Sequence, residues 1–165
     1  PDTVRFETFN EAYLGRALEI YNHYVRTSTA TFQIAEADLA GIREIIMQSG
    51  PRYAAWAIFV GDSMAGYVVL GRHKAREAYG LTAEVAIYLD PAFHGRGIGR
   101  AGMELAERQA RANGLHVLVT SITATNQASI ALSLACGYEK CAHYREVGRK
   151  FDTWLDVVCY QKILD

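Results

Sequence analysis

The most informative part of the chain is the segment TAEVAIYLDPAFHGRGIGRAG, at residues 82–102. Its pattern is typical of a strand, a sharp stop at Asp90-Pro91, a glycine-rich turn and the start of a helix. Such a turn directs free backbone N–H groups and the positive end of a helix to one point, where a pyrophosphate can bind. Glu84 lies in the middle of the strand. The segment therefore predicts an enzyme that binds a large phosphorylated cofactor and uses a carboxylate beside it.

The turn itself is the predicted phosphate site. Its glycines have no side chain, so a phosphate can come close to the backbone, and its arginines add positive charge. The residues concerned are Gly95, Arg96, Gly97, Ile98, Gly99 and Arg100. The spacing of Gly97, Gly99 and Gly102 also matches GxGxxG, a dinucleotide-binding fingerprint, although its first glycine lies well beyond the end of the strand. A turn with a purely structural role is the other alternative.

Hydrophobic periodicity predicts alternating elements along the rest of the chain. Helices are predicted at 11–26, 36–49, 100–113 and 127–136. Strands are predicted at 4–6, 53–60, 64–71, 83–89, 115–122, 138–147 and 154–163. Together they predict one α/β (α+β) domain over residues 1–165, with a mixed sheet of about seven strands and about four flanking helices. The sheet is expected to be antiparallel at both ends and parallel where the third helix crosses over.

Composition excludes several classes of protein. Of the 165 residues, half are hydrophobic and 21% are charged, with a formal net charge of -1 and no basic tract, so no nucleic-acid partner is expected. The apolar segments are shorter than the roughly 20 residues that cross a bilayer, so no membrane association is expected. The three cysteines have the spacing of neither a CxxC pair nor a zinc site. We therefore expect reduced thiols, no metal and a cytoplasmic location.

At the turn, the sequence HGRGIG (residues 94–99) resembles the [Q/R]xxGx[G/A] acyl-CoA signature of the GNAT-type N-acetyltransferases, with His94 where that family usually has Gln or Arg. From about residue 20 to the C-terminus, further segments are similar to the phosphinothricin N-acetyltransferase group, in the same order. These segments are NHY (22–24), TST (27–29), KAREAY (74–79), TAE (82–84), GY (137–138), GRKF (148–151) and WLD (154–156), together with Phe32, Asn126 and Ser129. The group includes enzymes that act on phosphinothricin and on methionine sulfone or sulfoximine.

The resemblance implies acetyl-CoA as cosubstrate, in a cleft at the splayed centre of the sheet. In the family, the main chain of the turn cradles the pyrophosphate, and the pantetheine arm pairs with the central strand as if it were an added strand. Carried over, the cofactor-binding residues are Ile87, Tyr88, Leu89, Gly95, Arg96, Gly97, Ile98, Gly99, Arg100 and Asn126. A plain helix N-cap is the alternative role for Asn126.

Glu84 is the predicted general base. Acetyl transfer to an amino acid requires that the proton of its ammonium group be removed, directly or through water. Period-2 alternation places Glu84 on one face of its strand with Thr82, Ala86 and Tyr88, opposite an apolar face. The alternative is that Glu84 only pairs with Arg72, Lys74 or Arg76 across the sheet edge.

The segment before the central strand is the predicted acceptor site. A cation on this loop can hold the carboxylate of an amino acid, and an arginine can do so with two hydrogen bonds. With the resemblance, the predicted substrate-binding residues are Lys74, Ala75, Arg76, Tyr79, Glu84, Val85 and Ala86. Residues 22–32 are expected to cover the cleft. Solvated surface charge is the alternative for the basic side chains.

Three aromatic residues near the C-terminus have open roles. Tyr138 follows Gly137, either as a general acid to the leaving thiolate or, as we favour, as a packing residue at a helix end. Trp154 and Tyr160 are expected to lie in the core or at an interface. The resembling enzymes are homodimers, which implies the same here.

The overall prediction is an acetyl-CoA-dependent N-acetyltransferase that acts on the α-amine of a small amino acid or analogue. Methionine sulfone, methionine sulfoximine and phosphinothricin are the named candidates. One alternative is a non-catalytic module that binds acyl-CoA as a sensor. The other is an acetyltransferase of a different amine or of a protein.

Overall fold

The computed structural model describes residues 3–165 of the chain. The strands in this part are β1 (Val4–Thr8), β2 (Ala54–Val60), β3 (Ser63–Arg72), β4 (Thr82–Leu89), β5 (Val117–Thr123), β6 (Glu139–Lys150) and β7 (Thr153–Ile163). The α-helices are α1 (Leu14–Thr27), α2 (Leu39–Ile46), α3 (Ile98–Ala112) and α4 (Gln127–Ala135). Short 3-10 helices lie at Glu11–Tyr13, Glu77–Tyr79 and Pro91–Phe93. The predicted α/β fold is confirmed.

The seven strands form one mixed sheet in the order β1-β2-β3-β4-β5-β7-β6. Neighbouring strands are antiparallel except β4 and β5, which are parallel because α3 lies in the crossover between them. This parallel pair is short: it runs from Thr82 opposite Val117 to Glu84 opposite Val119. Beyond Glu84 the two strands diverge and open a cleft at the centre of the sheet, as predicted.

The sheet has a hydrophobic core on each face. On one face α3 and α4 pack against the sheet, and on the other α1 and α2 do so. Alternation along β4 divides its side chains between them: Ala83 and Val85 belong to the first core, while Tyr88 packs against the second. The predicted alternation of β4 is therefore confirmed, and it places Glu84 on the α1 and α2 face.

Two helix starts differ from the sequence prediction, each for a local reason. The helix α2 begins later than predicted, at Leu39, because Asp38 Oδ1 accepts a hydrogen bond from Gly41 N at 2.8 Å and caps the helix there. The helix α3 begins earlier, at Ile98, because Gly97 adopts the left-handed conformation (φ 75°) and turns the chain directly into the helix.

An ion pair fastens α3 to the last strand. Glu107 Oε1 lies 2.6 Å from Lys162 Nζ, and both side chains are about three-quarters buried, with 24% and 26% exposed. Burial alone would raise the pKa of Glu107, but the hydrogen bond and charge of Lys162, helped by Arg111, outweigh it and lower that pKa. The folded state therefore favours the charged carboxylate.

We expect Glu107→Gln to lower the free energy of unfolding at pH 7 by about 1–2 kcal/mol, because the pair is intermediate between exposed and buried ones. Since folding lowers the pKa of Glu107, its contribution is present above the unfolded pKa and is lost as pH falls through the folded one. Urea unfolding of both proteins between pH 7 and pH 3 measures this difference, which should shrink at the acid end.

The exposed pair Arg100–Glu104, with a 3.2 Å contact and more than half of each side chain exposed, offers the control. Glu104→Gln should change stability by less than about 0.5 kcal/mol. A loss for Glu107→Gln that is equally large at pH 3 would contradict the assignment.

Candidate active site

A cleft of about 730 Å³ lies between the diverging ends of β4 and β5. Nearly all of the predicted cofactor-binding residues line it: Ile87, Tyr88, Leu89, Gly95, Gly97, Ile98, Gly99, Arg100 and Asn126. The predicted residues Val85 and Ala86 line it as well. Arg96 lies beside it, with its guanidinium carbon 5.2 Å from the centre of the Phe93 ring. The structure thus brings strand, turn and helix start together around one space.

The glycine turn has the backbone that an anion site requires. Gly95 and Gly97 have positive φ angles of 76° and 75°, and the position of a Cβ atom at either has no other atom within 4 Å. The backbone N–H of Ala101 donates to Gly97 O at 3.2 Å, so the N–H groups before it belong to the open first turn of α3. These donors and the positive helix end favour a phosphate here.

The turn is also tied to α1 by a contact that the sequence did not predict. The Tyr24 hydroxyl donates to Leu89 O and shares a 2.9 Å hydrogen bond with His94 Nε2. Burial raises the pKa of Tyr24 to about 12, so its hydroxyl remains a donor at neutral pH. His94 therefore contacts α1, which gives this unusual residue of the signature a position in the wall of the cleft.

Asn126 caps a helix and also lines the cleft. Its Oδ1 accepts a hydrogen bond from Ser129 N at 3.3 Å, which caps α4. The residue also lines the cleft. The predicted N-cap is therefore present, at a residue that also borders the space between the strands.

Glu84 lies at the apex of the cleft, at the last position where β4 pairs with β5. Its Oε2 lies 2.9 Å from His73 Nδ1, and its Oε1 accepts a hydrogen bond from Ser121 Oγ at 3.1 Å. Within residues 3–165, the basic side chains of 72, 74 and 76 form no ion pair with it. The partner is His73, which sequence reasoning missed because a single histidine on a loop carries no periodic or spacing signal.

His73 connects the predicted acceptor loop to Glu84, since it lies on that loop and contacts the carboxylate. The Tyr79 ring packs edge-on against the His73 ring, with 5.5 Å between centroids, and Lys74 Nζ lies 5.4 Å from the centre of the Tyr79 ring. Ala75 and Arg76 are exposed on the same loop. The structure therefore brings Lys74 and Tyr79 close to Glu84, and leaves Ala75 and Arg76 at the surface nearby.

A buried lysine holds the segment that covers the cleft. Lys150 is only 4% exposed, and its Nζ donates to Ser28 O at 2.7 Å and to Thr31 O at 2.9 Å. Thr123 Oγ1 donates to Thr29 O at 2.6 Å from β5. Burial lowers the pKa of Lys150. The segment after α1 is thus fastened to both β5 and β6, and it lines the cleft as predicted.

The aromatic residues of the C-terminal part divide between core and surface. Tyr138 is 3% exposed in the core on the α3 and α4 face, and burial raises its pKa. Its hydroxyl has no hydrogen-bond partner among residues 3–165. Tyr160 is buried, whereas Trp154 is 58% exposed. The structure therefore places Tyr138 in the core and outside the cleft lining, as expected of a packing residue.

Residues 3–165 contain no group of three or more His, Cys, Asp and Glu side chains placed to hold a metal ion. The helices of the same part are all too short or too polar to cross a membrane.

Comparison with known proteins identifies the class. The profile of the acetyltransferase (GNAT) family matches residues 17–138, which is more than half of the chain. The chain therefore belongs to the GNAT family of N-acetyltransferases, and the predicted family is confirmed.

Individual relatives cover almost all of the chain. It is 30% identical over 166 residues to the L-methionine sulfoximine/L-methionine sulfone acetyltransferase of Salmonella typhimurium, covering 99% of this chain and 95% of that protein. It is 31% identical to the phosphinothricin N-acetyltransferase of Streptomyces coelicolor, with 88% of each covered. A phosphinothricin acetyltransferase from Sinorhizobium meliloti, solved with acetyl-CoA, superposes with a TM-score of 0.92 at 27% identity, covering 98% of this chain and 89% of that one.

We expect Gly97→Ala to weaken acetyl-CoA binding by about tenfold or more, which corresponds to about 1.4 kcal/mol. The added Cβ would stand where a phosphate approaches the backbone, and the positive φ would be strained. Isothermal titration with acetyl-CoA measures the dissociation constant.

Gly114→Ala is the matched control, because Gly114 has nearly the same φ (76°, against 75° for Gly97) and equally open surroundings at the far end of α3. Both variants should lose about 1 kcal/mol of stability from backbone strain. Equal acetyl-CoA affinity in the two variants would show that the turn does not bind the phosphates.

Proposed function

We propose that the chain transfers the acetyl group of acetyl-CoA to the α-amine of a small amino acid or analogue, with Glu84 as the general base. The observation that carries this proposal is the placement of Glu84. Its carboxylate lies where β4 and β5 part, with one hydrogen bond on each oxygen. A base at the inner end of a cofactor cleft can meet both the acceptor amine and a thioester held between the strands.

Backbone N–H and C=O groups that have no partner in a strand or helix can bind the cosubstrate. The turn at Gly95–Gly99 offers N–H donors to the pyrophosphate. Beyond Glu84, backbone groups alternate between the two edges of β4, and the edge that faces β5 offers those of Ile87 and the N–H of Leu89 to an amide-containing arm, as in strand addition. The backbone of Tyr88 faces β3 instead, so Tyr88 contributes its position in the cleft lining. When bound, acetyl-CoA supplies an activated thioester. A backbone N–H of β4 would polarise its carbonyl group, an effect worth about 3–4 kcal/mol in acyl transfer.

The role of Glu84 is to take a proton from the acceptor ammonium group, directly or through one water. The free amine then forms a C–N bond to the acetyl carbon while the C–S bond breaks. The nitrogen gives up its second proton, which goes to the departing thiolate to form CoA–SH. General-base assistance of this kind contributes about 10²–10⁴-fold to the rate. The remaining acceleration comes from holding both reactants in one cleft.

The acceptor class rests on the loop beside Glu84 and on the relatives. Lys74 and Arg76 lie on that loop, and a cation there can pair with an amino-acid carboxylate. The names of the Salmonella and Streptomyces relatives support methionine sulfone, methionine sulfoximine and phosphinothricin as the first acceptors to examine.

We also propose that the chain forms a homodimer and works in a reducing compartment such as the cytoplasm. The β6–β7 hairpin supports a dimer, because four large apolar side chains in the half that contains its turn are more than half exposed: Tyr144, Val147, Phe151 and Trp154. The three cysteines are unpaired, which suits a reducing compartment. Light scattering should give twice the chain mass of 18.3 kDa, and a mass of one chain would contradict the dimer.

Release of CoA from acetyl-CoA, followed with a thiol reagent, tests the activity itself. The acceptors would be methionine sulfone, methionine sulfoximine, phosphinothricin, common amino acids, a polyamine and a lysine peptide. Release with an amino acid or analogue supports the proposal. Release only with the polyamine or peptide would redirect it to another acceptor class, and acetyl-CoA binding without any release would favour a sensing module.

Glu84→Gln should lower kcat by about 10²–10⁴-fold, because glutamine keeps the shape of the side chain but cannot accept the proton. Its acetyl-CoA dissociation constant should stay within about twofold, because Glu84 is not among the residues that line the cofactor cleft. Steady-state kinetics and titration measure the two quantities. Unchanged turnover between about pH 6 and 9 would overturn Glu84 as the base.

A further inference from the structure

His73 is the nearest titratable side chain to the proposed base, and neither the family signature nor the comparisons give it a role. We propose that His73 is a positioning residue that holds the Glu84 carboxylate in its working orientation. This inference rests on the proposed function of Glu84. His73 follows β3 directly, on the loop that carries Lys74 and Tyr79.

The geometry gives each oxygen of Glu84 one donor from a different element. His73 Nδ1, on the loop after β3, lies 2.9 Å from Oε2, and Ser121 Oγ, on β5, donates to Oε1 at 3.1 Å. The terminal torsion of a glutamate is broad when nothing holds it. Two donors on opposite oxygens remove that freedom, and hydrogen bonds to a charged carboxylate are stronger than neutral ones.

The imidazole is itself held in place. The His73 side chain is 19% exposed, less than the 32% of Glu84, and its ring packs edge-on against Tyr79 with an interplanar angle of 76°. Lys74 Nζ in turn lies over the Tyr79 ring. A ring fixed in this way presents Nδ1 toward the carboxylate without further loss of side-chain freedom when the acceptor binds.

The chain of contacts from Ser121 to Glu84 to His73 indicates that His73 acts through Glu84. Ser121 lines the cleft, and Glu84 bonds to it at the apex. His73 bonds to the other oxygen of Glu84 and is not part of the cleft lining. His73 therefore lies outside the cofactor cleft and contacts the proposed base through Oε2, a position from which it can orient the carboxylate.

Three substitutions separate positioning from other roles. His73→Asn places an amide N–H near the position of Nδ1, whereas His73→Gln places its amide near Nε2 and His73→Leu has no donor. We expect kcat to fall on the order of 10- to 100-fold in the leucine and glutamine variants, as for a misplaced catalytic group. The asparagine variant should recover most of the loss, and acetyl-CoA affinity should stay at the wild-type value in all three.

His143 provides the matched control. Its Nε2 lies 2.8 Å from Asp156 Oδ2, a second histidine–carboxylate pair, between β6 and β7 and outside the cleft lining. His143→Leu should leave kcat within about twofold. Thermal melts of every variant show whether a loss of activity reflects loss of fold. If only the His73→Leu variant has a lower melting temperature, the comparison of His73→Asn with His73→Gln decides whether His73 is a positioning residue.

A double-mutant cycle with Glu84→Gln distinguishes failure of this inference from failure of the proposed function. If His73 acts through Glu84, adding His73→Leu to the Glu84→Gln variant should cost no further activity. A full additional loss in that double variant, or an asparagine variant no better than glutamine, would overturn positioning while Glu84 remains the base. Wild-type turnover in Glu84→Gln alone would instead overturn the proposed function, and the inference with it.

Discussion

The short parallel pairing of β4 with β5 is the constraint on which the rest of the structure depends. The two strands are in register only from Thr82 to Glu84, and beyond that point the facing edges of both lack a strand partner. Backbone N–H and C=O groups left in this state are costly unless water or a ligand satisfies them. Because the sheet stops pairing at its centre, its unpaired backbone groups provide a binding site there, independently of the side chains. The helix α3 then begins at the mouth of this opening, since it follows β4 through the glycine turn.

The opening extends through the sheet from one face to the other. Its lining includes Met103 and Leu132 from the α3 and α4 side, and Tyr24 and Ser28 from the α1 side. Two reactants can thus enter from opposite faces and meet where the strands part. The α1 side is fastened to the strands by Tyr24 and by Lys150, so the second reactant would meet a wall that is already in place. Preorganisation of this kind lowers the entropy lost on binding.

The sequence predicts local features of this arrangement well and long-range ones poorly. Period-2 alternation and the glycine turn locate β4, the cleft and Glu84, because each depends on neighbours within a few residues. The sequence places the start of α3 two residues too far along the chain, because periodicity does not reveal the left-handed conformation of Gly97. The partners of Glu84 depend on the register between β4 and β5 and on the path of the loop after β3. The contact of Lys150 with Ser28 joins residues 122 positions apart, for which one sequence carries no signal.

The hydrogen bonds of Glu84 also hold β4 next to β5 at the point where the two strands begin to diverge. The residue sits on β4, its donors come from β5 and from the loop after β3, and the three segments meet only there. With pairing ended on one side of β4, the carboxylate replaces the next backbone link between the strands. Under the proposed function, the general base is also the group that links the strands at this point. A change in the loop after β3 would then reach Glu84 through His73, and the same change would loosen the point from which the two strands diverge.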